Sequence, residues 1–232
     1  MHLYKTKLLI SWKWVVAFLA LTILCGTSHE FVHHFTGGAL CGGFGAKTFN
    51  SYSLIPGCGG WREIVANLAG PAFTFGLMWW GAAMLLSPDE KKRRIGLALI
   101  FANFPINRLI FVLLRFNDEY WSAYQMFGGS DSVHAATVLL VWLIALPPVV
   151  IGYLTIANSP RWAWFLGLFT LPFAFVLGFV GFLELYLLIK KHVLATTIIG
   201  VPWLIVVTEI IALALYIGLR KHLADRPAKL AA

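Results

Sequence analysis

Residues 29–33 read His29-Glu30-Phe31-Val32-His33. On a helix, residues four apart lie one above the other on one face, so His29 and His33 present two imidazoles to a single metal ion. Glu30 follows the first of them directly, where a carboxylate can act as general base on water. A zinc ion in such a site supplies activation of that water at neutral pH. The spacing is therefore what metal-assisted hydrolysis requires. His34 falls outside the i, i+4 pair and is read as a neighbour, not a ligand. Four ionisable groups in one long apolar segment are hard to explain as packing. The competing reading is a polar helix end solvated at a membrane interface.

A zinc site of this kind needs a third protein ligand. Asp131 is the first candidate, because Phe127-Gly128-Gly129-Ser130-Asp131 runs directly into a later apolar segment. A carboxylate there enters the bundle at a helix start, and the same position suits an N-cap. Asp118 and Glu119 are alternatives in the same loop, at about 115–132. Two more carboxylates, Glu184 and Glu209, lie inside apolar segments. Each can hydrogen-bond a ligand histidine, pair with a base or carry protons, and the sequence leaves these roles open.

The elements that must position these groups are legible from composition. Hydrophobic residues make up 59% of the 232 and charged residues 12%, about half the charged share of a soluble domain. Six apolar segments, roughly 8–36, 64–87, 95–114, 133–157, 162–189 and 193–219, are each near the length of about 20 residues that crosses a bilayer core. Backbone groups in lipid must bond internally, and no alternating barrel pattern is present. The expected fold is all-α: one polytopic transmembrane helix bundle of about six spans over residues 1–232. Its catalytic core covers about 8–157 and two further spans about 162–219. The first segment is too long for a cleaved signal peptide and no small-x-small site closes it. Glycines crowd residues 37–61, so a stretch such as Leu40 to Ser53 can turn back into the protein as a short hairpin.

The net charge of +8 does not indicate nucleic acid. Lys5, Lys7, Lys91-Lys92-Arg93-Arg94, Lys190-Lys191 and Arg220-Lys221 sit at segment ends, as lipid-interface anchors do. Positive-inside counting places the N-terminus, the Lys91–Arg94 run and the tail in the cytoplasm. Three cysteines make no disulfide framework; Cys41 and Cys58 share the first loop and would pair if it faces an oxidising compartment.

In order along the chain these residues resemble the site-2-protease class of intramembrane zinc metalloproteases, in a compact bacterial form. The resemblance rests on His29-Glu30-Phe31-Val32-His33 and on the Gly42-Gly43-Phe44-Gly45 loop, placed like the family's membrane-associated β-hairpin. Ala69-Gly70-Pro71 follows at the second span, then Asn103-Phe104-Pro105, similar to an Asn-x-x-Pro element, and an aspartate at a later helix start. It implies a Zn2+-dependent endopeptidase cutting a membrane-protein or peptide substrate in or beside the bilayer. It further implies Gly43, Gly45 and Asn103 as substrate contacts, and a site approached from the cytoplasm, against the charge count. Other classes compatible with the residues are a non-catalytic scaffold or chaperone, a metal or proton transporter, and a lipid hydrolase.

Overall fold

Ser11 opens the first helix: its side chain accepts a hydrogen bond from the Trp14 N–H, and α1 then runs Trp12–Cys41. Thirty residues at 1.5 Å each give about 45 Å, more than a bilayer core is thick. The helix ends where Gly42 turns left-handed (φ 76°) and donates its N–H to Gly38 O, a C-terminal cap that glycine adopts without a Cβ clash. The computed structural model describes residues 3–224.

Helix α2 spans Trp61–Leu85 and α3 spans Glu90–Ala102, capped by Asp89. The apolar segment containing α3 does not run on as one helix. Phe104 takes a left-handed conformation (φ 58°) and Pro105 starts a separate α4, Pro105–Phe111. Proline suits a first helical position because its missing N–H would be unbonded there. The expected loop after it contains a helix, α5 (Asp118–Phe127), whose cap Asn117 accepts from the Tyr120 N–H. Helix α6, Asp131–Thr155, follows, capped by Ser130. Helix α7, Arg161–Phe175, continues as wider π-helical turns over Val176–Val180 and Phe182–Lys190. Two short antiparallel strands, β1 (Thr197–Ile198) and β2 (Val201–Pro202), pair Thr197 with Pro202 and Ile198 with Val201. Helix α8, Trp203–Leu219, and α9, Lys221–Ala224, complete the described chain.

Five helical stretches among the described residues are long and apolar enough to cross a membrane: Trp12–Cys41, Trp61–Leu85, Glu90–Phe111, Asp131–Thr155 and Arg161–Lys190. The sixth expected segment is helical only from Trp203, for 17 residues, because the turn around Gly200 (φ 79°) and Pro202 occupies its start. Polarity is distributed as lipid demands. Leu139, Leu143, Leu185 and Ile210 point outward while His29, His33, Asn103, Arg108 and Glu119 are buried, each ionisable group facing a partner inside the bundle.

The two ends of the bundle differ. At one, Lys5 Nζ donates to Leu154 O, Arg93 Nε to Thr6 Oγ1 and Arg94 Nη1 to Ala224 O. These bonds gather the N-terminal segment, the start of α3, the end of α6 and α9. At the other end lies the glycine-rich loop. There Lys47 and Tyr52 form an isolated antiparallel bridge, and Cys41 and Cys58 are disulfide-bonded with Cα atoms 5.7 Å apart. The Lys47 N–H donates to Gly200 O at 2.9 Å, so the β1–β2 turn packs onto this loop.

Candidate metal centre

Helix α1 places His29 and His33 one turn apart facing α2, and the two Nε2 atoms are 2.9 Å apart. The helices approach closely here because residue 70 is glycine. A Cβ on Gly70 would stand 2.3 Å from His33 Nε2 and 2.7 Å from His29 Cε1. Helix α2 also orients both rings. His33 Nδ1 donates to Ala66 O at 2.7 Å, which leaves Nε2 as the nitrogen with the lone pair. Arg108 Nη2 lies 2.9 Å from His29 Nε2 and can only donate, so His29 carries its proton on Nδ1 and gives it to Thr74 Oγ1 at 2.9 Å. Tyr52 stacks on the His33 ring with centroids 4.8 Å apart.

Asp118, in the first turn of α5, brings a carboxylate to this pair. Its Oδ2 is 3.3 Å from His29 Nε2 and 3.6 Å from His33 Nε2. Burial pushes the Asp118 carboxyl up, but its close contacts with His29 and His33 and the charge of Arg108 outweigh it and hold the group well below the usual range. Arg108 is buried and gives Nη1 to Asp118 Oδ2 at 3.0 Å and to Glu119 Oε2 at 3.0 Å. Glu30 stands on the open side of the group, its Oε1 4.0 Å from His29 Nε2. Lys47 is buried beside the Phe31 ring, its Nζ 4.4 Å from the centroid. Burial lowers its ammonium to about 8.

Two cavities meet at Glu30. The larger, about 470 Å³, is lined by His29, Glu30, Asn107, Arg108, Asn117 and Asp118 and opens past Phe111, Phe116, Leu177 and Leu185. The smaller, about 90 Å³, lies behind Glu30 among Thr22, Thr74, Asn103 and Asn107.

The residues present fit a divalent cation. His29, Glu30 and His33 form a group whose ligand atoms lie within 4.8 Å of one another. The two Nε2 atoms converge with a carboxylate oxygen from Glu30 or from Asp118, and ligand atoms of a tetrahedral zinc stand about 3.3 Å apart.

The expected third ligand is placed elsewhere. Asp131 is exposed and bonded to Arg115 at 2.6 Å, and Ser130, not Asp131, caps α6. Asp118, the alternative, takes the place beside the histidines, while Glu119 is held by Arg108. The reason is the short helix α5, which packs against α2 and α6 and starts at Asp118 beside the histidines. Among the described residues, the partners of Glu184 and Glu209 are not the histidines. Glu184 accepts from Thr48 Oγ1 at 2.8 Å and from Asn50, and Glu209 accepts from Thr27. The bonds that orient the histidines come instead from Thr74 and the Ala66 carbonyl. His34 turns away from the pair, with Nε2 2.9 Å from Ile199 O.

Asn103 lines the small cavity, with Nδ2 donating to Leu99 O at 2.7 Å and Oδ1 buried without a partner. Gly43 and Gly45 line neither cavity. Gly45 is packed so closely that a Cβ would stand 2.0 Å from Ser53 O. Arg108, Thr74, Asn107 and Asn117 were not singled out from sequence. The one available signal was Arg108, a basic residue inside an apolar segment. No protein-family model, no curated protein and no solved structure matches the chain.

Proposed function

We propose that this protein is a membrane-embedded, zinc-dependent hydrolase of peptide bonds. The observation that carries the reading is the convergence of His29 Nε2, His33 Nε2 and Asp118 Oδ2, with each ring's Nδ1 tied to α2. His29, His33 and Asp118 would hold the ion, which when bound supplies Lewis acidity and a nucleophile at neutral pH. Glu30, at the junction of the two cavities, takes a proton from water and passes it to the leaving amine. Arg108 holds Asp118 in place through its charge and hydrogen bonds. The larger cavity admits substrate from the apolar flank of the bundle, and Asn103 keeps a polar lining behind Glu30.

The decisive variant is Glu30→Gln, assayed on a quenched fluorescent peptide with an apolar, glycine-broken centre. Hydrolysis is lost while zinc is retained, because both imidazoles remain. An active Glu30→Gln protein contradicts the assigned mechanism.

In the orientation we infer, the basic end lies in the cytoplasm and the site end faces the opposite, oxidising side. Positive-inside counting and the Cys41–Cys58 disulfide both support it. A second reading, a non-catalytic scaffold, is favoured by one contact: Arg108 Nη2 donates to His29 Nε2, as in a metal-free polar cluster. Metal stoichiometry separates the two.

A further inference from the structure

Two asparagines on the larger cavity carry amide atoms without partners. Asn107 Oδ1 and Asn117 Nδ2 are both buried and unbonded, and both residues line the cavity that holds Glu30. The Asn117 amide has a fixed direction, since its Oδ1 accepts the Tyr120 N–H at 3.1 Å, which leaves Nδ2 as a free donor. Buried amide atoms rarely stay unpaired, so each calls for a partner that the protein itself does not provide. The cavity mouth is apolar and opens on the outer face of the bundle, where Phe116 is 79% and Leu177 68% exposed.

The chemistry of the lining selects among ligands. An unwound peptide in an apolar setting has N–H and C=O groups that must find partners, and an acceptor and a donor along an apolar groove supply them. A phospholipid fits worse. Its phosphate would meet the carboxylates of Glu30, Asp118 and Glu184, while Arg108 is already engaged by Asp118 and Glu119. An acyl chain offers an amide nothing to bond.

We propose that Asn107 and Asn117 form a backbone clamp for an unwound apolar peptide segment. Asn107 Oδ1 accepts from a substrate N–H, and Asn117 Nδ2 donates to a substrate carbonyl. The clamp rests on the peptidase reading for its place beside Glu30, yet it is measured by binding alone.

The test uses full-length Glu30→Gln protein in detergent and a fluorescein-labelled Leu/Ala peptide with a central Gly-Pro break. Binding is followed by fluorescence anisotropy across a series methylated at single backbone nitrogens. At one position near the break, methylation weakens binding about fivefold to tenfold, the worth of one hydrogen bond. Adding Asn107→Leu weakens the unmethylated peptide by a similar factor and removes the methylation effect. Asn117→Asp keeps the capping oxygen, loses the donor and weakens binding to the same degree. If no single methyl group weakens binding to the parent protein, the clamp is overturned without recourse to a variant. It is equally overturned if Asn107→Leu leaves the methylation effect intact, or if a fluorescent phosphatidylglycerol displaces the peptide in an Asn107-dependent way. Zinc content of the same samples keeps the two claims apart. Zinc-loaded, hydrolytic wild type without the coupling defeats the clamp alone, and coupling in a zinc-free wild type defeats the hydrolase reading alone.

Discussion

Asp118→Asn tests the assignment on which the site depends. The side chain keeps its size and loses its charge, at a position where Oδ2 lies 3.3 Å from His29 Nε2, 3.6 Å from His33 Nε2 and 3.0 Å from Arg108 Nη1. Removing a group that merely supports a ligand costs about 10- to 100-fold in metal affinity. Loss of an anionic ligand costs at least the upper figure, about 100-fold or roughly 2.7 kcal/mol. The fold survives the change, because Arg108 keeps Glu119 as a partner at 3.0 Å. The assay is competition with a chromogenic zinc chelator in detergent, beside a melting curve for each variant. Asp131→Asn is the control. Its carboxylate is 94% exposed and bonded only to Arg115 among the described contacts, so zinc affinity stays within about twofold of wild type, as for a screened surface charge. If Asp131→Asn releases zinc and Asp118→Asn keeps it, the third ligand assigned here is wrong.

Thr74→Val removes the acceptor for His29 Nδ1; zinc affinity in the same chelator assay falls about 10- to 100-fold, and an unchanged value would show that Thr74 does not orient the ring. Arg108→Met strips the buried cation from Asp118 and Glu119. Removal of one partner from a buried ion pair costs about 3–5 kcal/mol, seen as a lower melting temperature. Adding Glu119→Gln restores part of the loss, because the two side chains are coupled; strictly additive effects would mean that they are not.

The helix that carries His29 and His33 was legible because the pattern is local. His29 and His33 share a face through the i, i+4 repeat, and the same repeat sets His34 aside. The long apolar segments were legible for a similar reason, since length and composition alone decide whether a helix can cross a bilayer. The third carboxylate is a tertiary matter. Asp118 and Asp131 both stand in the first turn of a helix, and only the packing of α5 against α2 and α6 decides which one meets the histidines. One clue was present: Asn117 followed by Asp118 and Glu119 is a helix-start pattern, and reading it would have replaced the expected loop with α5. The start of the last apolar segment misled by composition, because Val193, Ile198, Ile199 and Val201 are as apolar as a span yet sit around a tight turn at Gly200. Glu184 and Glu209 lie too far along the chain for any local pattern to reveal that their partners are Thr48, Asn50 and Thr27.

The central claim is that His29, His33 and Asp118 hold one divalent ion at Glu30. Elemental analysis of detergent-purified wild type beside His33→Ala tests it most directly. The account predicts about one zinc per chain in the wild type and its loss in the variant. A wild type that holds no metal after zinc is resupplied, or a His33→Ala protein that keeps it, would contradict the account.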